Sequence, residues 1–295
     1  MAQSEGHSRV IHIDPIERHL LLEGIFLRYG HDFRQYAVAS LNRRLADMMG
    51  KFGETHLLGL LHKTLHSPDF FRQILPYFTI NTTEFFRDPS FFKSLREQVL
   101  PVLKTYPSLN VWIAGCSTGE ELYSLAILLK EEGLYSRATI YATDINPQVL
   151  RKASDGIYDL SVMQSFARNY VQAGGKFSPS DYYTAEYGLA RFDPALRENV
   201  MFSEHNLATD EAFVEAHLIL CRNVLIYFSR ELQHRVHGLF LRSLAPGGYL
   251  GLGSKETLRF SNVVTQFNTS IEHEHIYRAK RHAQVPSGES PGRSP

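Results

Sequence analysis

The sequence predicts an α/β fold that follows a small all-α domain and is interrupted by a small antiparallel β insertion. From Asp88 onward, short apolar runs that fit buried strands alternate with segments of helical periodicity, which is typical of a parallel sheet covered by helices. From residue 14 to residue 79, apolar residues recur at helical spacing without a strand pattern. Between residues 173 and 205, aromatic and turn-forming residues replace the alternation, and this change predicts the insertion.

The N-terminal domain is predicted to hold four helices. They cover IERHLLLEGIFLRYG, DFRQYAVASLNRRLADMMGKFG, THLLGLLHKTLH and SPDFFRQILPYF, and Ser67 followed by Pro68 gives the fourth a typical N-terminus. A basic cluster on the second helix is either a solvated face or a docking face for an acidic partner, and it consists of Arg34, Arg43, Arg44 and, just beyond, Lys51. Both interpretations stay open at this point.

The second domain is predicted from residue 89 to residue 282, after a linker at 80–88. Its first helix starts in DPSFF, with Asp88 as the N-cap. The predicted strands are VWIAG, ATIYATDI, AHLILC and GYLGLG, and the predicted helices among them are EELYSLAILLKEE, NPQVLRKASDG and SRELQHRVHGLFLRSL. We expect antiparallel edge strands in VVTQF and EHEHIYRAK, and disorder in the Pro-, Gly- and Ser-rich residues 283–295.

Composition excludes several classes of function. The 295 residues include 31 basic and 31 acidic side chains, so no net charge attracts the chain to nucleic acid or to an anionic membrane. No apolar run approaches the roughly 18 residues of a membrane span, and two cysteines cannot form a disulfide framework. The histidines are scattered without a metal-binding motif. We therefore expect a soluble, cytoplasmic protein without metal, membrane insertion or nucleic-acid binding.

The stretch VWIAGCSTGEELYSL turns sharply from a predicted strand to a predicted helix at Gly115–Gly119. Ligands of open α/β sheets bind at the carboxyl ends of strands, where glycines let the backbone come close. Asp144 ends the strand ATIYATD, and a carboxylate there can accept hydrogen bonds from ribose hydroxyls, although it could instead cap the helix that begins near Asn146. The two features together predict a nucleoside pocket.

The turn does not have the pattern of a phosphate-binding loop. It matches neither the GxGxxG of dinucleotide sites nor the GxxxxGK[ST] of a P-loop. Glu120 and Glu121 follow it, and their charges would repel phosphate but suit a cationic or amino-bearing ligand. S-adenosylmethionine has a ribose, an ammonium group and a sulfonium but no phosphate, so it fits. The later turn in LAPGGYLGLG is similar to a feature of class I methyltransferases.

Four blocks of the sequence resemble the CheR-type chemotaxis receptor methyltransferases: NTTEFFRDPSFF, WIAGCSTGEELYSLA, ATDINPQVLRKASDGIY and LILCRNVLIYF. The resemblance extends over nearly the whole chain to about residue 280. It implies the Rossmann-like sheet of a class I S-adenosylmethionine-dependent methyltransferase. It further implies methyl transfer to glutamate side chains of chemoreceptors, with S-adenosylhomocysteine as the product.

The resemblance also implies roles for individual residues. Arg87, in the 80–88 linker, would either orient the incoming carboxylate or pair with the carboxylate of the cofactor. Glu120 would lie at the methionine end, with Glu121 as the alternative, and Tyr227 would either face the sulfonium or belong to the core. The implied catalytic residues are Arg87 and Tyr227, and the implied cofactor-binding residues are Asn81, Thr83, Arg87, Glu120, Asp144, Asn206, Leu207, Asn223 and Val224.

The implied partners are the cytoplasmic helices of chemoreceptors. In some members of the family the β insertion binds a receptor C-terminal peptide, and we expect a monomer. Because a glutamate carboxylate is already ionised at neutral pH, no general base is expected. Two alternatives stay open. One is a methyltransferase for another substrate, and the other is a docking protein without catalysis, against which the presence of Asn81, Arg87, Asp144 and Asn223 argues.

Overall fold

The computed structural model describes residues 12–79 and 83–281, and the chain divides between residues 80 and 81 into two compact units. The predictions for Asn81 and for the tail at 283–295 lie outside the described residues. Within the described ranges, no helix is long and apolar enough to cross a membrane. In the same ranges, no group of three or more His, Cys, Asp or Glu side chains could hold a metal ion.

The first unit is helical. Its helices are α1 (Pro15–Tyr29), α2 (Val38–Phe52), α3 (Leu57–His66) and α4 (Pro68–Phe78). Asp14 and Ser67 cap α1 and α4, because their side chains accept hydrogen bonds from backbone N–H groups of the first turn. Left-handed glycines end α1 and α2. Four helices thus occupy the region in which the sequence predicts them.

The basic cluster of the second helix is not one continuous face. Because α2 begins after its predicted start, Arg34 lies in the preceding turn, where it pairs with acidic side chains of that turn and of α1. Arg44 is buried, and its Nη1 donates to the carbonyl oxygen of Phe78 at 2.6 Å. A docking face made of all four basic residues is therefore wrong, since two of them stabilise the unit itself. Arg43 and Lys51 are exposed.

The second unit begins with an interrupted helix, made of α5 (Pro89–Ser94), a π-helical turn (Leu95–Val99) and α6 (Leu100–Leu103). Asp88 occupies the N-cap position of this helix as predicted, but its side chain makes no capping hydrogen bond. Its φ of 54° is left-handed, and its carboxylate accepts a 2.7 Å hydrogen bond from the guanidinium of Arg222. A charge-assisted bond of this kind is stronger than a bond to a neutral backbone N–H, so the ion pair determines the orientation of the aspartate.

Ten strands lie in the described part of the second unit: β1 (Leu109–Ala114), β2 (Ala138–Asp144), β3 (Ile157–Asp159), β4 (Tyr183–Glu186), β5 (Leu189–Phe192), β6 (Val200–Glu204), β7 (Ala216–Cys221), β8 (Leu244–Leu252), β9 (Phe267–Ile271) and β10 (Ile276–Ala279). Four further helices cover the sheet: α7 (Glu120–Glu131), α8 (Pro147–Asp155), α9 (Met163–Gln172) and α10 (Arg230–Ser243).

Seven strands form the main sheet in the order β6-β2-β1-β7-β8-β10-β9. The first five are mutually parallel, and β10 runs antiparallel to both β8 and β9. This arrangement confirms the predicted Rossmann-like α/β sheet. Antiparallel strands do lie at one edge, but the prediction of a strand in VVTQF is wrong, because Val264–Gln266 forms a 3₁₀ turn and β9 begins only at Phe267. From β1 the chain first adds β2 and β6 on one side and then crosses to β7 on the other side. The carboxyl ends of β1 and β7 therefore form the switch point at which such sheets bind ligands.

The insertion is a three-stranded antiparallel sheet in the order β3-β5-β4. The sequence places it at 173–205, but the structure begins it at β3, and Val200–Glu204 is an edge strand of the main sheet, parallel to β2. The predicted boundaries are therefore wrong at both ends. The reason is that β6 lies at an edge and has exposed residues, so it lacks the continuous buried run that marks the other parallel strands.

Candidate functional site

The turn after β1 lies against two neighbouring segments of the sheet. The N–H groups of Gly115 and Cys116 both donate to the carbonyl oxygen of Thr143 at 2.8 Å, which ties the turn to the end of β2. Val224 lies so close to Gly115 that a Cβ on that glycine would be 2.6 Å from the valine Cγ2. The carboxyl ends of β1, β2 and β7 therefore meet at one edge of the sheet.

Asp144 ends β2 beside this turn and is buried. Its two carboxylate oxygens accept backbone N–H groups of Ser117 and Asn146, each at 3.0 Å. Burial raises the pKa of Asp144, and these two N–H groups oppose the increase. The cap of α8 is Asn146 rather than Asp144. The backbone N–H of Ile145 also interacts with this carboxylate. Because a carboxylate offers about four acceptor positions, Asp144 can still accept a hydrogen bond from a ligand hydroxyl.

Asn206 and Leu207 follow β6, whose last residue pairs with Asp144. The backbone N–H just before Asn206 donates to the carbonyl oxygen of Asp144 at 3.1 Å, so the loop is fixed beside this aspartate. The side-chain oxygen of Asn206 accepts a hydrogen bond from the N–H of Ala208, whereas Leu207 is buried. The loop brings an apolar side chain close to the acidic end of β2.

The segment after β7 forms a tight turn that contains Asn223, Val224 and Tyr227. Asn223 has a left-handed φ of 62°, and a short 3₁₀ turn follows it. The Oδ1 atom of Asn223 and the hydroxyl of Ser117 are both buried, and neither has a hydrogen-bond partner within the described part of the chain. Buried polar atoms are rarely left without partners, so two such atoms at the strand ends indicate a place for a polar ligand.

The two glutamates at the start of α7 have different surroundings. Glu120 accepts a 2.6 Å hydrogen bond from the hydroxyl of Thr118, and burial raises its pKa. Burial also raises the pKa of Glu121, against the opposing effect of Arg222, whose Nη1 donates to it at 3.0 Å. Because the hydrogen bond of Glu120 comes from a neutral hydroxyl, its charge is more available than that of Glu121 to a cationic ligand.

The second half of the predicted linker is built into the second unit. Phe85 and Phe86 are fully buried core residues, and the N–H of Phe86 donates to a serine hydroxyl of α7 at 2.8 Å. Arg87 follows them, is half-buried, and lowers the pKa of Glu121 through its charge, which places it near the start of α7. Thr83 is half-buried as well, and its role remains a prediction.

Comparison with known protein families shows to which family the chain belongs. Residues 81–274, about two thirds of the chain, match the family described as CheR methyltransferase, SAM binding domain. The chain belongs to the CheR methyltransferase family. The resemblance carried by the four sequence blocks is therefore confirmed, and the protein is an S-adenosylmethionine-dependent methyltransferase of chemotaxis.

Individual relatives agree with this identification. Cher3 of Pseudomonas putida, a methyltransferase by name, is 49% identical over 89% of this chain and 96% of its own. The chemotaxis protein methyltransferase of Listeria monocytogenes is 32% identical over 78% of this chain and 85% of its own. Chemotaxis protein methyltransferase 1 of Pseudomonas aeruginosa is 34% identical over 76% of this chain and 83% of its own. The solved methyltransferase SibL, at 15% identity and a TM-score of 0.33 over 55% of this chain and 34% of its own, is too distant to support an argument.

Arg222 is a residue of this CheR-family site that the sequence analysis does not identify. Its side chain is 1% exposed, and its two Nη atoms donate to Glu121 at 3.0 Å and to Asp88 at 2.7 Å. The guanidinium also lies 4.1 Å from the ring centroid of Phe91. Arg222 thus joins the start of α7 to the segment that carries Arg87. The available signal is an arginine directly after a buried strand, in LILCRNV.

Glu256 is a second residue that the sequence analysis misses. It is buried after β8, and its carboxylate accepts hydrogen bonds from the N–H groups of Gly253, Asn223 and Ile226. Its surroundings in the sequence, GSKETL, contain no pattern that distinguishes it from a surface glutamate.

Neither cysteine is suited to covalent catalysis. Burial raises the pKa values of Cys116 and Cys221 well above their ordinary range, and nearby carboxylates raise them further. Both thiols therefore stay protonated near neutral pH and are weak nucleophiles.

The residues at the strand ends fit S-adenosylmethionine. Asp144 can accept a further hydrogen bond from a ribose hydroxyl, and Ser117 and Asn223 present the two buried polar atoms described above. The glutamates that open α7 disfavour phosphate and favour a ligand with positive charge. The chemistry of this donor set agrees with the cofactor of the family.

Proposed function

We propose that this methyltransferase forms methyl esters on glutamate side chains of chemoreceptor cytoplasmic helices, and that its cofactor binds at the carboxyl ends of β1, β2 and β7. The names of the relatives support the chemotaxis substrate. The observation that carries the cofactor site is the buried carboxylate of Asp144, which lies at the end of β2 beside the turn after β1 and is surrounded by backbone N–H groups of Ser117, Ile145 and Asn146. Because receptor helices of this kind are cytoplasmic, the proposal also places the enzyme in the cytoplasm.

Each strand end would contribute a different part of the cofactor site. Asp144 would accept the ribose hydroxyls, and Glu120 would attract the ammonium group of the methionine moiety. Val224 and Leu207 would supply apolar walls, and Asn223 would use its unpartnered Oδ1. Thr83 and Asn206 keep the cofactor contacts implied by the family resemblance, as does Asn81.

When bound, S-adenosylmethionine supplies a methyl group activated by its sulfonium. The protein is left with the tasks of alignment and exclusion of water, because a glutamate nucleophile is ionised at neutral pH and needs no general base. Arg87 can hold a carboxylate through two parallel N–H bonds, which fixes the direction of the oxygen. The ring of Tyr227, in the turn after Asn223, can face a positive charge.

The label transferred to a receptor is expected to be labile to base. Receptor cytoplasmic fragments incubated with enzyme and methyl-labelled S-adenosylmethionine should release labelled methanol at alkaline pH, since a methyl ester hydrolyses there and an N-methyl group does not. Fragments with glutamine at the acceptor glutamates are the control and should gain no label. Base-stable label would indicate another substrate. If the receptor fragments gain no label although the protein binds S-adenosylhomocysteine, the result would favour the alternative of a docking protein without catalysis.

Asp144→Asn is expected to raise the Kd for S-adenosylhomocysteine about 10- to 100-fold. A hydrogen bond to a charged group contributes about 1.5–3 kcal/mol, and the amide loses the charge. The NH₂ group of the asparagine would also face one of the two backbone N–H groups that now donate to the carboxylate, which weakens the hold on the turn as well. Calorimetric titration measures the effect. Asp155→Asn, at an exposed position on α8, is the control and should leave the Kd unchanged. Wild-type affinity in Asp144→Asn would reject the ribose assignment.

A further inference from the structure

The carboxylate of Glu256 joins two loops at the carboxyl edge of the sheet. Its Oε2 accepts the N–H of Gly253 at 2.7 Å and the N–H of Asn223 at 2.9 Å, and its Oε1 accepts the N–H of Ile226 at 3.2 Å. Gly253 follows β8 and Asn223 follows β7, and these two strands are parallel neighbours. A single side chain that is 4% exposed therefore fixes the turn after β7 to the adjacent strand end.

The turn that Glu256 fixes is not one that the chain would adopt freely. Asn223 has a φ of 62°, in the left-handed region that is uncommon for residues with a side chain, although asparagine enters it more readily than most. The same residue carries the buried Oδ1 without a partner in the described ranges. The Oδ1 atom that is available to a ligand thus lies on a turn of uncommon backbone conformation, which the hydrogen bonds of Glu256 hold in place.

Gly253 makes this contact possible. A Cβ at this position would lie 2.8 Å from the Asn223 N and 2.8 Å from the Glu256 Oε2. No larger residue could let the carboxylate reach both N–H groups without displacement. The missing side chain of Gly253 therefore makes room for the carboxylate of Glu256, whose negative charge is surrounded by backbone N–H groups.

We propose that Glu256 is a positioning residue for methyl transfer, which holds the turn after β7 so that Asn223, Val224 and Tyr227 face the cofactor. The effect of Glu256 on methyl transfer rests on the proposed function, whereas its effect on the conformation of the turn does not. Glutamine cannot replace Glu256, because its NH₂ group would point a donor at one of the three backbone donors. Burial raises the pKa of Glu256 and the backbone N–H groups oppose this effect, so the hydrogen bonds support the ionised form.

The test compares Glu256→Gln with Glu131→Gln. Glu131 is also buried, with its side chain 1% exposed, and it accepts hydrogen bonds from Tyr170 and Tyr182, but it lies at the opposite end of α7 from the turn. In the protein without ligand, amide exchange of residues 222–228 should be faster in Glu256→Gln only. In the same variant, the Kd for S-adenosylhomocysteine should rise about tenfold or more, the cost of one charged hydrogen bond. The KM for S-adenosylmethionine should rise with it.

A second variant keeps the test decisive if Glu256→Gln does not fold. Gly253→Ala should show the same faster exchange and weaker binding, since its methyl group would displace the carboxylate. Unchanged exchange at 222–228, or an unchanged Kd in folded protein, would overturn the proposal, as would equal effects in Glu131→Gln. A wild-type chain that failed to bind S-adenosylhomocysteine would instead reject the proposed function, and the exchange data would still decide whether Glu256 holds the turn.

Discussion

Replacing Arg222 with methionine is expected to lower the free energy of unfolding of the second unit by about 3–5 kcal/mol, because it leaves a buried charge without its partner. The side chain of Glu121 is 15% exposed and that of Asp88 is 38% exposed, so most of the cost falls on Glu121. The single tryptophan of the chain, Trp112, is fully buried in β1. Its fluorescence during urea unfolding therefore reports the stability of this unit.

Arg278→Met is the matched control for the loss of an arginine that covers an aromatic ring. The guanidinium of Arg278 lies 5.2 Å from the ring centroid of Tyr249 and donates to the carbonyl oxygen of Gly247, a neutral acceptor. Its loss should cost about 1 kcal/mol. Adding Glu121→Gln to Arg222→Met should recover much of the stability, since the unpaired charge is then gone. Equal losses in the two arginine variants would show that the ion pairs are not the cause.

The loss in free energy of unfolding caused by Arg222→Met should also depend on pH. Burial raises the pKa of Glu121 in the folded protein, and Arg222 opposes the increase, so the variant should have a still higher pKa. A raised carboxylate pKa means that the folded state binds the proton more tightly, and stability then falls as pH rises from 4.5 through the folded pKa. The variant should therefore be closer to wild type at pH 5 than at pH 8. A constant difference would contradict this explanation.

The four inner parallel strands, β2, β1, β7 and β8, could be predicted because they are largely buried on both faces and form apolar runs. The prediction ATIYATD matches β2, and AHLILC matches β7. The sequence pattern places the edge strand β6, VMFSE, in the insertion because its exposed residues break that run. The sequence predicts the start of α2 too early, because the ion pairs of Arg34 that hold the preceding turn leave no periodic pattern. What fails is the prediction of elements whose conformation depends on neighbours distant in the sequence.

The candidate site also combines features that follow from local sequence with contacts between residues that are distant in the sequence. The turn at Gly115–Gly119 and the carboxylate of Asp144 follow strands, so position along the chain is enough to find them. Arg222 and Asp88 are 134 residues apart, and Glu256 is 33 residues from the N–H of Asn223 that it accepts. No local pattern encodes such pairs, since each partner looks like an ordinary charged residue until the sheet brings them together.

Gly119→Ala is expected to destabilise the second unit by about 2–5 kcal/mol. Gly119 has a φ of 96°, and a left-handed conformation costs an L-residue roughly 1–2 kcal/mol. The added Cβ would also lie 2.8 Å from the Cβ and 3.0 Å from the Cα of Ala153 and 2.9 Å from the hydroxyl of Tyr158, and overpacking of this kind costs about 1–3 kcal/mol. The backbone of α8 cannot move aside as a flexible side chain could. Unfolding followed by Trp112 fluorescence measures the change.

Gly133→Ala separates the two contributions to this loss. Gly133 has a φ of 68°, but no atom lies within 4 Å of the place that its Cβ would take, so only the conformational cost of roughly 1–2 kcal/mol applies. A larger loss in Gly119→Ala would show that Gly119 is required for the close approach of α7 and α8, rather than for contact with the ligand. The affinity of the remaining folded protein for S-adenosylhomocysteine then reports how far the turn is displaced. Equal losses in the two variants would contradict the packing argument and leave backbone conformation as the whole reason for glycine at the start of α7.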